Sequence, residues 1–177
     1  MTRPAFNFDW IDELLGVGGR FPTEAAEHLA RQEGIGAIVD LRVEDCDDEA
    51  ALRVHGLEFL HLPTQDACAI APQMIDDGVE WVRVRLEAGT RVLIHCEHGI
   101  GRSALLALCI LVARGIRPLD AMNRLKAARP VVCPAPEQLE AFRAWAGRWR
   151  QRTGARIEVP SIEALAWVAY SHLRTAG

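Results

Sequence analysis

The sequence predicts an α/β fold, a central mostly parallel sheet flanked by helices. Three observations predict it: short apolar runs bounded by glycine, proline or charge, longer segments with helical apolar spacing, and the alternation of the two. Ala37-Ile38-Val39-Asp40-Leu41 is the first run, Leu57-Glu58-Phe59-Leu60-His61-Leu62 the second, stopped by Pro63, and Arg91-Val92-Leu93-Ile94-His95 the third. Ahead of them, Phe21-Pro22-Thr23 offers a helix start with Thr23 as cap and an end near Gln32. Ile75, Val79, Val82 and Leu86 recur at helical spacing and predict a helix over 72–87. Further helices are expected over 102–114, 118–128 and 136–150. Pro160-Ser161 then opens a segment with Ile162, Leu165, Val168, Ala169 and Leu173 on one helical face. The division expected is a catalytic unit over 1–152 and, over 153–177, a linker at Gly154 with an extra helix packed on or appended to it.

Bulk properties narrow the classes. A chain of 177 residues with 50% hydrophobic content fills one core and is short for two. Its 20 basic and 24 acidic residues give a net charge of -4, without the basic excess of a nucleic-acid binder. The longest apolar stretch, Ala104 to Ala113, falls short of the ~20 residues of a membrane span, and the first ten residues lack the pattern of a secretory signal. Five cysteines, at 46, 68, 96, 109 and 133, form no CxxC pair, which speaks against a disulfide framework and a zinc cage and for a reducing compartment, the cytoplasm. Asp40 to Glu49 carries six acids against Arg42 alone and reads as a solvated loop. Oligomeric state leaves no mark in the sequence.

The chemistry concentrates where the third run ends. His95-Cys96-Glu97-His98-Gly99-Ile100-Gly101-Arg102-Ser103 places a cysteine and an arginine at the two ends of a glycine-bearing loop, between a strand and a helix. In open α/β sheets, ligand sites collect at such strand ends. The loop's N–H groups and the helix N-terminus suit a tetrahedral dianion, and Gly99 and Gly101 permit the tight path. Arg102 presents a planar fork to two phosphate oxygens, and the positive surroundings favour the thiolate of Cys96. Ser103 is placed to hydrogen-bond the sulfur as it leaves. His95 reads as a support of the loop backbone, and Glu97 and His98 as outward residues that shape selectivity. The pattern points to phosphomonoester hydrolysis with Cys96 as nucleophile and Arg102 as phosphate clamp.

Expulsion of an alkoxide or phenoxide calls for a nearby carboxylic acid. The loop after the second run, Pro63-Thr64-Gln65-Asp66-Ala67-Cys68-Ala69-Ile70-Ala71-Pro72, contains one carboxylate, Asp66. Asp66 is therefore the expected general acid, and the base for water in the second step; an ordinary turn or capping aspartate is the competing reading. Asp76 and Asp77 fall inside the following helix. Cys68 and Cys133 lie where either could trap Cys96 as a disulfide, whereas Cys109 reads as core.

These residues resemble the protein tyrosine phosphatase superfamily, and within it the small atypical dual-specificity phosphatases. The resemblance runs from Asn7-Phe8-Asp9-Trp10 and Leu15-Gly16-Val17-Gly18 to about Trp149, and it includes Asp66-Ala67-Cys68-Ala69-Ile70-Ala71-Pro72 and Ala128-Arg129-Pro130. It implies the cysteine-dependent phosphatase fold, turnover without metal or cofactor, and a phosphocysteine intermediate. There is no counterpart of the aromatic loop that clamps phosphotyrosine in the larger enzymes. That implies a shallow pocket open to phosphotyrosine proteins and also to phosphoserine and phosphothreonine.

Three alternatives stay open. The same chemistry could act on a phosphoinositide, inositol or nucleotide phosphate, although Glu97 and His98 stand where lysines would favour such headgroups; Arg124 or Arg129 could supply charge near the mouth. The chain could be a phosphate-binding module without turnover. A sulfur-transfer or arsenate-reducing role would call for a different loop length or a resolving thiol pair.

Overall fold

Arg91–His95 forms the middle strand of a five-stranded sheet in the computed structural model, which describes residues 6–174. Leu15–Gly18 (β2) and Ile35–Arg42 (β3) flank it, with Phe8–Trp10 (β1) and Glu58–Thr64 (β4) at the edges, so that Arg91–His95 is β5 and the order is β1-β2-β5-β3-β4. Every pairing is parallel except the antiparallel β1–β2 edge. The three runs read from the sequence are β3, β4 and β5. Neither β1 nor β2 was expected. Three residues carry no period, and Leu15-Gly16-Val17-Gly18 is too short and too rich in glycine to show one. Gly18 packs so closely on β1 that a Cβ there would lie 2.3 Å from the Cβ of Phe8.

The sheet divides its side chains by the two-residue period of strands. Ala37, Val39 and Leu41 of β3, with Val92 and Ile94 of β5, enter the larger core beneath Pro72–Glu87, Arg102–Ala113, Pro118–Ala128 and Pro136–Thr153. Ile38 and Leu93 face the smaller core on the other side, with Leu29 of Ala26–Arg31 (α1) and Leu52 of Glu49–Val54 (α2). The four helices of the larger side are α3 to α6; Ile162–Ala169 (α7) and Ser171–Arg174 (α8) follow.

Three helical segments also differ from expectation. Thr23 makes no side-chain cap: Pro22 precedes a 3₁₀ turn over Thr23–Ala25, and α1 begins only at Ala26. Inside the acidic region, α2 is capped by Asp48, whose Oδ1 accepts from the Ala51 N–H at 3.0 Å. At the end of the chain α7 places Leu165 and Ala169 in the core, but the helix stops at Ala169 and Leu173 is 66% exposed.

Candidate active site

Cys96 lies at the carboxyl end of the central strand, and Arg102 opens α4, whose residues through Val112 are all buried. The loop between them is held from outside by Arg129. This side chain is buried and donates from Nε to the Gly99 carbonyl at 2.8 Å and from Nη2 to the His98 carbonyl at 3.1 Å. Asp9 and Asn7 anchor the same guanidinium at 2.8 and 2.7 Å. With those carbonyls turned outward, the Gly99 N–H donates to the Cys96 sulfur at 3.3 Å. Gly99 adopts φ 69°, and a Cβ on it would fall 2.3 Å from the Gly18 carbonyl carbon, so only glycine fits. Arg129, thought available to the mouth, is committed to this buttress.

Cys96 is 2% exposed, with the Ser103 hydroxyl 3.4 Å from its sulfur. Arg102 is fully buried and its two terminal nitrogens are occupied. Nη1 donates to Glu44 Oε2 and to the Thr64 carbonyl, both at 2.8 Å; Nη2 donates to Glu44 Oε1 at 2.7 Å and lies 3.3 Å from Asp66 Oδ1. Nε of Arg102 is buried and has no acceptor among the described residues. The fork is thus gripped at its tip by a bidentate carboxylate, and its Nε edge is left for an oxyanion. The hydrogen bond from Arg102 lowers the Glu44 carboxyl from 4.5 to about 2. Burial opposes the charge of Arg102, but Glu44, Cys96 and Asp66 together raise its pKa.

Glu44 went unnoticed in the sequence because it belongs to the acidic run that reads as a solvated loop. The structure corrects that reading in part: Glu44, Asp45, Asp48 and Glu49 are exposed, as in a solvated loop, whereas the Asp40 and Asp47 side chains are enclosed. Asp40 is fully buried, with both oxygens engaged by Arg42, and burial, which alone would raise its carboxyl, is outweighed by Arg42 and His95. Arg42 also reaches Asp47 at 2.8 Å and Asp45 at 3.2 Å. His95 Nε2 lies 2.7 Å from Asp47 Oδ2 and Nδ1 3.3 Å from the Cys96 carbonyl, so both ring nitrogens face acceptors. The run is a collar that fastens the two ends of the Cys96 loop through His95 and Arg102. Two clusters, Asp40-Cys46-His61 and Asp40-Asp47-His95, bring ligand-type atoms within 4.8 Å of one another; in both, Arg42 already fills the oxygens of Asp40.

Asp66, Ala67, Cys96, His98, Ile100, Gly101, Cys133, Ala135 and Gln138 line a pocket of about 190 Å³. The structure therefore brings Asp66, read from a separate loop, to the same pocket as Cys96. Glu97 turns away to pair with Arg20 at 2.9 Å, while His98 is exposed at the pocket wall. Cys133 shares the pocket. Its N–H donates to the Ile100 carbonyl at 2.9 Å, and nothing in the residue spacing foretold that contact. Cys109 is enclosed in the core, where burial raises its thiol pKa well above the usual value.

A parallel sheet whose central strand delivers a cysteine into a glycine loop, closed by a buried arginine at the head of a helix, defines a phosphatase of the protein tyrosine phosphatase fold. The solved structure of Tk-PTP in its active form superimposes with a TM-score of 0.73 at 26% identity, covering 80% of this chain and 97% of that one. The family described as "Polymorphic toxin system, DSP-PTPase phosphatase" matches residues 18–116, and the chain belongs to it. Among curated relatives, phosphatidylglycerophosphate phosphatase PTPMT2 of Arabidopsis thaliana is 26% identical over 136 residues, 74% of this chain and 59% of that protein. Protein tyrosine phosphatase type IVA 2 of Mus musculus is 27% identical over 113 residues, 61% of this chain and 68% of that protein. No described helix is long and apolar enough to cross a membrane.

Proposed function

We propose that the chain hydrolyses phosphotyrosine, and with it phosphoserine and phosphothreonine, on protein substrates by way of a phosphocysteine. Cys96 attacks phosphorus as the thiolate; the bond to the leaving oxygen breaks, and Asp66 gives that oxygen its proton. The Gly99 N–H and Ser103 hydroxyl, 3.3 and 3.4 Å from the sulfur, support the thiolate before attack and again when sulfur departs. Water then attacks the phosphocysteine and yields its proton to Asp66, releasing inorganic phosphate. The Nε edge of Arg102 and the loop N–H groups hold the equatorial oxygens in both steps. His95 supports the loop through Asp47 and the Cys96 carbonyl. Five free thiols fit a reducing, cytoplasmic setting.

The observation that carries this reading is the convergence of Cys96 and Asp66 on one pocket, with the tip of the Arg102 fork already satisfied by Glu44. The same hydrolysis on a lipid or small-molecule phosphate is a second reading, favoured by the likeness to the plant phosphatidylglycerophosphate phosphatase. Charge at the mouth favours protein phosphates over polyanionic headgroups. Arg129 is spent on the loop, Arg20 pairs with Glu97, and Glu44 and Asp66 add negative charge.

The test compares kcat/KM for phosphotyrosine, phosphoserine and phosphothreonine peptides with that for phosphatidylglycerophosphate and phosphoinositides in mixed micelles, all with chelator present. Phosphotyrosine peptides are expected to be the best substrates. A preference of more than about tenfold for a lipid phosphate replaces the protein reading, and turnover unchanged in Cys96→Ser removes the mechanism.

A further inference from the structure

The loop that carries Asp66 is bound to the first turn of α6. Gln138 is buried, at 1% exposure; its Nε2 donates to the Cys68 carbonyl at 3.1 Å, while its Oε1 accepts from the Ala135 N–H at 2.8 Å. Beside it, Glu137 Oε1 accepts from the Ala69 N–H at 3.1 Å. Gly101, just before Arg102, packs on the same Gln138 side chain, so that a Cβ there would fall 2.6 Å from Oε1. One glutamine therefore touches the Cys96 loop, the Asp66 loop and the start of α6.

The backbone next to Asp66 bears a matching sign. Ala67 has φ 59°, the one non-glycine residue with positive φ among those described, within a turn closed by the Cys68 N–H on the Gln65 carbonyl at 3.2 Å. Alanine disfavours that region, so the conformation persists only where surrounding contacts over-determine it. Those contacts are the two bonds from α6, the pairing of Asp66 with Arg102 at 3.3 Å, and Ile70, which is sealed in the core.

We infer that Glu137 and Gln138 are positioning residues that latch the acid loop closed in the resting protein, so that Asp66 stands over Cys96 before substrate arrives. The inference rests on the reading of Asp66 as general acid. Neither residue exchanges a proton with substrate; both act through the geometry of the loop. A latch of this kind replaces the ordering that a mobile lid undergoes on binding, and its effect falls on the step that needs the acid.

The experiment measures kcat and KM for Glu137→Ala, Glu137→Gln and Gln138→Ala on phenyl phosphate, a poor leaving group, and 4-nitrophenyl phosphate, a good one. Both alanine variants are expected to lose about tenfold in kcat on phenyl phosphate and less than about twofold on the nitrophenyl ester, with KM little changed. Glu137→Gln should restore the rate, because its amide oxygen accepts the same bond. Placed in an Asp66→Asn background, the alanine variants should cause no further loss. Equal losses on both esters, or a loss that persists in that background, overturn the latch. If Asp66→Asn itself slows both esters alike, the acid assignment fails and the latch fails with it. Glu137 is exposed, so its variants keep the test alive if Gln138→Ala does not fold.

Discussion

At the scale of single residues, the site depends on a carboxylate that touches no substrate. Glu44 grips the tip of Arg102, and in the proposed mechanism Nε is left to bind phosphate, so Glu44→Gln should lower kcat/KM about tenfold by weakening a charge-assisted fork. A pH signature accompanies it. The Glu44 carboxyl is lowered from 4.5 to about 2, so its contribution to stability is complete above about pH 4.5 and is lost as pH falls through about 2. Melting temperature measured across that window should fall less steeply in Glu44→Gln than in the parent. Cys96, Arg102, Ser103 and Asp66 could be named as candidates because each is the residue type the proposed chemistry requires, at a strand end or in the adjoining loop. Glu44 and Asp47 could not, because six acids within ten residues look alike until the fold decides which of them meet Arg102 and His95.

The next scale is that of the elements. β3, β4 and β5 and the helices after them were readable from apolar periods. β1, β2 and α2 were not, because short or glycine-rich pieces carry no period and gain their structure from what they pair with. These pieces reach the site all the same. Asn7 and Asp9, in and beside β1, anchor Arg129, and Arg129 turns the carbonyls of the Cys96 loop outward. Arg129→Met removes the donor to the Gly99 carbonyl and the partner of Asp9, while the His98 carbonyl keeps Asn7 Nδ2 at 3.4 Å. The substitution should cost ~2 kcal/mol in denaturant unfolding, the range for leaving a buried acceptor unsatisfied. Inhibition by inorganic phosphate should weaken at the same time, because the loop N–H groups lose their aim. A variant that unfolds like the parent and binds phosphate as tightly would contradict the buttress.

Across the whole molecule, the sheet is a platform whose central strand delivers Cys96, while the segments after β3 and β4 and the start of α6 bring Glu44, Asp66 and Gln138 to it. Helix α7 shares the main core: Leu165 and Ala169 are fully buried, and the Tyr170 hydroxyl donates to the Pro134 carbonyl at 2.7 Å, beside Cys133 of the pocket. Leu165→Ala should therefore destabilise the protein by ~3 kcal/mol while leaving kcat/KM at moderate temperature unchanged. Near the division drawn from sequence, Gly154 ends α6 with φ 71°. Sequence could not tell where the helix beyond it packs, because an apolar stripe names no partner. The central claim is that phosphate passes through Cys96. Its most direct test is rapid acid quench of Asp66→Asn during turnover of 4-nitrophenyl phosphate, followed by peptide mass analysis. The account predicts a phosphoryl group on the peptide containing Cys96, absent in Cys96→Ser; turnover with no phosphorylated cysteine, retained in Cys96→Ser, would contradict it.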